Sequence, residues 1–330
     1  MRRFAVLTLA LLWPLSAQSL CSGQDLIAAL PAQDLAPLRA AADAVPYASG
    51  NAWMVTKGEE VLYILGTMHL DDPRHAAILQ TMLPWLRASD LLLVEAGPEE
   101  QALLKARISK EPTILINTEG PTLPEVLSKA DWQALSVAMT VRGVPPFMAA
   151  KFKPWYITVL LSLPPCALTA GMPLGLDQQL MDQAAAADIP TQALEPYDTL
   201  FSVFETSTIE EQIKMLALSV AADTHSEDMH ATMIESYFAE DTRLSWEFTK
   251  YWTKSLPGYD PVSAGAELQV MEDRLMIGRN EAWIAVIEEA VTKQSGPIFI
   301  AFGALHLAGD RGVLNLLGQR GFTLTRLLLP

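Results

Sequence analysis

Histidine and cysteine are scarce in this chain, five and two among 330 residues, and several common catalytic signatures are missing altogether. No serine stands in a G-x-S-x-G setting, which removes the ordinary serine-hydrolase elbow. No glycine-rich phosphate loop occurs, and H-E-x-x-H is absent. His225 and His230 are five apart rather than four, with Ser226 after the first, so both read as surface residues. Neither cysteine has a neighbouring histidine or a recognisable motif, which counts against a cysteine nucleophile. Basic residues are also few, 23 against 38 acids. Nucleic acid and anionic membrane surfaces need clustered Lys and Arg, so neither is expected as a partner. Long apolar runs are lacking too. The stretch 155–170 is broken by Pro164-Pro165 and falls short of a span, so a buried helix is expected there rather than stable membrane insertion.

What is present begins with a leader. Arg2-Arg3, an apolar run from Phe4 to Leu15 and Ala17-Gln18-Ser19 form the basic, apolar and small-residue parts of a secretory signal peptide, with cleavage expected after Ser19 or close to it. Leu20 spoils a lipoprotein box before Cys21, and Arg-Arg-Phe leaves a weak twin-arginine alternative. A periplasmic or secreted location follows as an expectation. Loss of 1–19 removes two arginines and no acid, taking the formal charge from −15 to −17. That acidity favours a soluble monomer. In an oxidising compartment Cys21 and Cys166 could pair, adding on the order of 3–5 kcal/mol by loop closure, and pairing is preferred over two free thiols.

The remaining residues suit one large domain, or one domain with a sizeable insertion. Strands are expected over 52–56 and 61–65, joined at Lys57-Gly58-Glu59-Glu60, over 91–94 as a continuous apolar run, over 190–195, 298–302 and 322–329. Helices are expected from Asp71 to about Ala88, then over 101–110, 123–140, 176–188, 210–222, 228–238, 243–254, 264–292 and 309–320. The fold class that results is α/β: a central β-sheet flanked by helices, with a large, mainly helical insertion at about 99–254 in a single domain over 20–330.

Gly66-Thr67-Met68-His69-Leu70 and Gly303-Ala304-Leu305-His306-Leu307 repeat one pattern, G-x-x-H, each behind a strand-like run. Chance supplies about 0.3 such motifs at this Gly and His content, so two in matched settings point to a shared site. Glu95 is a carboxylate directly after a fully apolar strand. In an open α/β sheet ligands bind beyond the carboxyl ends of strands, where His69, Glu95 and His306 all fall. Two histidines and a glutamate can hold a divalent metal with positions open for water, or furnish a base and its orienter without metal. Glycine at each strand exit is expected to allow the tight turn or close approach that aims the histidine.

Ile64-Leu65-Gly66-Thr67-Met68-His69-Leu70, Leu93-Val94-Glu95, Ala193-Leu194-Glu195, Arg279-Asn280-Glu281-Ala282-Trp283, 302–309 and Arg320-Gly321-Phe322 together resemble the TraB/GumN family, whose animal relatives include the Tiki proteases. The resemblance runs from about residue 50 onward. It implies metal-dependent peptide-bond hydrolysis, with His69, His306 and Glu95 as metal ligands or catalytic groups and Mn, Co or Zn as the metal. It also brings Arg279 toward the site, to hold a substrate carboxylate or an oxyanion, with Glu195 and Asn280 on the substrate side. Asp177 is a further candidate, although N-capping of its helix is the expected job. The leading expectation is therefore an exported metal-dependent hydrolase of peptides. A metal-free esterase-like hydrolase using His69 and Glu95 is one alternative. A non-catalytic protein that binds a peptide or small ligand is another.

Overall fold

Apolar runs bounded by Gly, Pro and charged residues become strands, and among the described residues six of them form one mixed sheet. They are β1 Ala52–Lys57, β2 Glu60–Thr67, β3 Leu91–Val94, β4 Thr191–Ala193, β5 Ile298–Gly303 and β6 Thr323–Leu327, in the order β4-β3-β5-β2-β1-β6. The computed structural model describes residues 21–169, 174–256 and 260–330, so the leader expected at 1–19 lies outside the described residues. β4, β3, β5 and β2 run parallel, while β1 is antiparallel to both β2 and β6. Lys57 pairs with Glu60 across the hairpin, and Gly58 supplies the positive φ of 62° that the two-residue turn requires.

The parallel strands are apolar on both faces because helices cover both. Ile64, Leu65, Leu92, Leu93, Phe299, Ile300 and Phe302 are fully buried. Helix His75–Arg87 adds Ile78, Met82 and Leu86, and it packs with helix Leu176–Ala186, which adds Leu180 and Ala184. Helix Gly278–Lys293 contributes Trp283, Ile284 and Ile287 and packs with helix Val313–Gln319. Helices also fill the chain between β3 and β4 and between β4 and β5, so β4 divides the expected insertion in two. Part of this block has its own apolar cluster around Leu135, Met139, Ile157, Leu161 and Leu216. Near the N-terminus, helix Ala32–Asp43 packs on helix Thr242–Thr253, and a Cys21–Cys166 disulfide with a Cα separation of 5.4 Å fixes the start of the described chain. No helix among the described residues is long and apolar enough to cross a membrane.

Several boundaries differ from the expected ones for local reasons. The stretch 123–140 is two helices, Leu123–Val126 and Lys129–Val141, because Ser128 accepts from the Asp131 N–H and starts a new helix. The helix expected at Asp71 begins at His75, since the Asp72 carboxylate accepts from the Arg74 backbone N–H before the helix starts. The last helix begins at Val313 rather than Gly309, which sits in a turn at φ 109°. The long helix expected over 264–292 is Pro261–Glu272 and Gly278–Lys293 joined by a π-helical turn, Asp273–Ile277.

Candidate functional site

All four parallel strands end at the same edge, and each releases one polar residue there. β2 leads through Met68 to His69, β3 to Glu95, and β4 through Leu194 to Glu195. β5 ends at Gly303 and passes into a short 3-10 turn, Ala304–His306, that carries His306. Because Val94 is in register with Ala301, Glu95 lies beside the end of β5, and the Gly303 N–H donates to Glu95 Oε1 at 2.6 Å.

Both imidazoles face that same oxygen. His69 Nε2 is 3.7 Å and His306 Nε2 4.0 Å from Glu95 Oε1. Their other ring nitrogens are anchored separately, His69 Nδ1 to Asp177 Oδ1 at 3.2 Å and His306 Nδ1 to Asn280 Oδ1 at 2.6 Å. Asn280 is buried and donates its amide to the Arg311 carbonyl, which fixes which way its oxygen points. Below the histidines, Arg279 donates to Glu95 Oε2 at 2.6 Å and to both Glu195 oxygens at 2.8 Å, and Trp283 Nε1 donates to Glu195 Oε2 at 2.9 Å. Arg279 Nη1 donates to the Leu275 carbonyl and lies 3.4 Å from His306 Nε2. All three guanidinium nitrogens thus have protein partners, and both Glu195 oxygens are taken.

Three glycines shape the site, none of them by positive φ. A Cβ on Gly66 would lie 2.6 Å from Leu307 Cδ1 and 2.9 Å from Ala304 Cα, so this glycine lets the two G-x-x-H segments pack against each other. On Gly175, a Cβ would lie 2.4 Å from the carbonyl of His69, so the loop before Asp177 can lie on the His69 backbone. Gly303 is different. Its Cβ would point between Glu95 Oε1 and His69 Nε2, 3.2 Å from each, and 3.7 Å from His306 Cδ2, so its missing side chain leaves a space the size of a small group at the centre of the constellation.

Charge in this space is uneven. Burial pushes His306 down to about 3, with Glu95 opposing and Arg279 and His69 adding to the fall, so its ring is neutral near pH 7. For His69, burial works against the proton, but the Asp177 hydrogen bond and the fields of Glu95 and Asp177 prevail and raise it to about 9. That side chain is 57 % exposed at the mouth of the cleft, where water screens those charges. Burial opposes the Glu95 charge as well. It is outweighed by His306, His69, Arg279 and the Gly303 N–H, which hold the carboxyl at about 2. Of the two rings only His69 is charged near neutrality, so its field and that of Arg279 act on Glu95.

The chain matches the family model described as TraB/PrgY/gumN over residues 51–326. It belongs to the TraB/PrgY/gumN family. The matched stretch contains His69, Glu95, Asp177, Glu195, Arg279, Asn280 and His306, so in this TraB/PrgY/gumN chain the whole constellation lies within the family region. No curated protein matches the chain.

Two imidazole nitrogens within 4.0 Å of one carboxylate oxygen are a donor set of the kind that divalent first-row cations accept. The anchoring of each distal ring nitrogen is what metal-bound histidines require. Among the described residues no three His, Cys, Asp or Glu groups stand at ligand distance as the side chains lie, so closing the set requires the exposed His69 ring to turn toward Glu95. The residues fit a metal in kind, with His306 already neutral as a ligand must be.

Sequence reasoning ranked one contributor to this TraB/PrgY/gumN site, Asp177, behind a capping role and passed over another, Trp283. Asp177, expected to cap its helix, makes no capping hydrogen bond and turns to His69. The motif Gly175-Leu176-Asp177 made Asp177 a candidate, but nothing in it named His69 as the partner. Trp283 was legible in principle, because it follows Arg279 by four residues on one helix and so shares its face. The other three histidines lie elsewhere, His75 fully buried at the start of helix His75–Arg87. His225 is half exposed beside Asp228 and Trp252, whereas His230, expected at the surface, is 8 % exposed and buried on helix Ser226–Phe238.

Proposed function

We propose that this cleft is a hydrolytic site for peptide bonds that works with a divalent cation held by His69, His306 and Glu95. The observation that carries the reading is the space at Gly303, bordered by His69 Nε2, Glu95 Oε1 and the edge of the His306 ring, with both Nε2 atoms within 4.0 Å of that oxygen. A metal bound there would supply a water of lowered pKa and polarise the scissile carbonyl. The chain's own groups do the rest. Asn280 holds the neutral His306 ring in the tautomer that leaves its Nε2 lone pair free, and Asp177 would do the same for His69 once a bound cation displaces that ring's Nε2 proton. Glu95, ionised, would orient the attacking water through Oε1, while Arg279 keeps Oε2 fixed. Glu195 and Trp283 keep Arg279 in place, so Glu195, Asn280 and Arg279 support this reading as positioning residues rather than as direct contacts of substrate.

A second reading is favoured by one contact, Arg279 Nη1 at 3.4 Å from His306 Nε2, which puts a permanent cation where a metal would approach that nitrogen. In that reading His69, paired with Asp177, exchanges protons with water directly and no metal takes part. Elemental analysis of the purified protein, coupled to cleavage of a peptide library with and without chelator, separates the two. Stoichiometric metal and chelator-sensitive cleavage support the metal reading, cleavage indifferent to chelator the metal-free one, and no cleavage with saturable peptide binding would sink both.

A further inference from the structure

Away from the cleft, the helical block holds a cavity of about 330 Å³. Its walls are apolar, formed by Trp155, Val203, Phe204, Met215, Met271 and Leu275, with the Trp155 and Phe204 rings stacked at 5.2 Å. Two of the segments that build it run directly out of the candidate site. Val203 and Phe204 lie on helix Thr199–Glu205, which begins four residues after Glu195. Leu275 lies on the π-helical turn one step before Arg279, and its carbonyl accepts from Arg279 Nη1 at 3.0 Å. One wall of the cavity therefore touches, through the Leu275 carbonyl, the guanidinium that holds Glu95 and Glu195. π-Helical turns inside α-helices are concentrated at functional sites.

The rim states what would fit. Arg274 is hydrogen-bonded to Ser207 and lies 3.9 Å from Glu211, and Lys214 lies in the field of Glu267. With those cations already facing carboxylates, an anionic ligand gains little there. One acceptor is left over: Glu267 Oε2 is buried and has no hydrogen-bond partner among the described residues. A ligand suited to these walls is bulky and uncharged, and it offers an N–H, as a residue within a peptide does.

We propose that this cavity is the specificity pocket of the site, taking a Leu- or Phe-sized side chain of a residue that flanks the bond to be cleaved, with Glu267 accepting from that residue's backbone N–H. The inference rests on the hydrolytic reading of the cleft and names its substrate preference. Ala266 and Val270 line the cavity from exposed positions on helix Pro261–Glu272, so Ala266→Trp plugs it from the solvent side, and Val270→Trp is a second plug should the first not fold. Neither residue belongs to the catalytic constellation.

The test has two readouts on the full chain. In the first, N-acetyl-phenylalanine amide and N-acetyl-alanine amide are titrated by ligand-observed NMR, which needs no turnover. Saturable binding of the phenylalanine amide, about tenfold or more weaker for the alanine amide and for the plugged variant, is expected. In the second, peptides that differ only in Phe, Leu or Ala at each flanking position are compared by kcat/KM. A preference of about tenfold or more for Phe or Leu at one position should collapse to near one in the plugged variant. Cleavage without such a preference, unchanged by the plug, overturns the pocket and leaves the hydrolase standing. Binding lost on plugging, with no peptide cleaved by the unaltered protein, supports the pocket and overturns the hydrolase. Equal binding of the phenylalanine amide with and without the plug overturns the pocket.

Discussion

Gly303→Ala isolates the space at the centre of the site from everything that holds the fold together. At φ −52° and ψ 132° the backbone there suits any residue, so alanine stabilises by about 0.5–1 kcal/mol through a less flexible unfolded chain. Against this, the new methyl lies 3.2 Å from Glu95 Oε1 and from His69 Nε2. The exposed His69 side chain can swing outward by loosening its contact with Asp177, so relief costs on the order of 1 kcal/mol. The two terms nearly cancel, and the melting temperature should move by no more than about 2–4 °C. Chemistry should fare differently. A methyl in that position excludes any water or cation from contact with all three groups, so hydrolysis should fall by about 100-fold or more and metal occupancy with it. Gly66→Ala is the contrasting control, because its Cβ would meet Leu307 at 2.6 Å and the Ala304 backbone at 2.9 Å in the packed core, at a cost of about 1–3 kcal/mol. Denaturant unfolding, metal analysis and peptide hydrolysis on both variants decide the matter. Wild-type hydrolysis and metal content in Gly303→Ala, or a loss of several kcal/mol of stability, would refute the assignment of this space.

Glu95→Gln should abolish turnover, and the metal content separates its roles, since retained metal makes it a base and lost metal makes it a ligand. His69→Ala and His306→Ala should each remove hydrolysis, and the double variant should be scarcely worse than either single one, because groups that act as a unit are non-additive; additive losses would argue for separate roles. Cys166→Ser should lower unfolding free energy by about 3–5 kcal/mol, since the bond closes a loop of 145 residues, and the unaltered protein treated with dithiothreitol should match it in a denaturant titration. Burial opposes the charge of Asp72, yet the hydrogen bonds and field of Arg74 hold its carboxyl below the ordinary range. A lowered folded value means the stabilisation is present above the unfolded value of about 3.9 and is lost as pH falls through the folded one. Asp72→Asn should therefore flatten the acid limb of the stability curve, modestly because Arg74 is 42 % exposed, and an unchanged limb would refute the assignment.

The sheet was legible because its strands carry unambiguous patterns. Residues 91–94 read as a strand buried on both faces and are buried without exception, and Lys57-Gly58-Glu59-Glu60 read as the hairpin turn it is. The parallel strand ends then brought His69, Glu95 and His306 into view together, since polar groups just past such ends have few structural reasons to be there. Strand order was not legible, because β5 inserts between β2 and β3 and nothing local encodes that placement. The same limit hid the partner of Asp177. Its contact with His69 spans 108 residues and depends on Gly175 lying against the His69 backbone. Glycine function was only half legible. A tight turn or a close approach was expected at Gly66 and Gly303; Gly66 makes the close approach, whereas Gly303 leaves empty space.

The central place of β5 has a consequence for when this protein can act. β2 and β3, which deliver His69 and Glu95, are not neighbours in the sheet; they are joined only through β5, which enters from 208 residues beyond Glu95 at the Gly303 contact. Until that late strand docks, β2 and β3 have no shared partner, His306 is not yet delivered, and the Gly303 N–H that holds Glu95 is elsewhere in the chain. Closing so distant a contact is among the slowest steps a chain of this kind undertakes. The groups of the cleft thus stay apart through most of folding, and they are brought together in a single late event with the completion of the sheet.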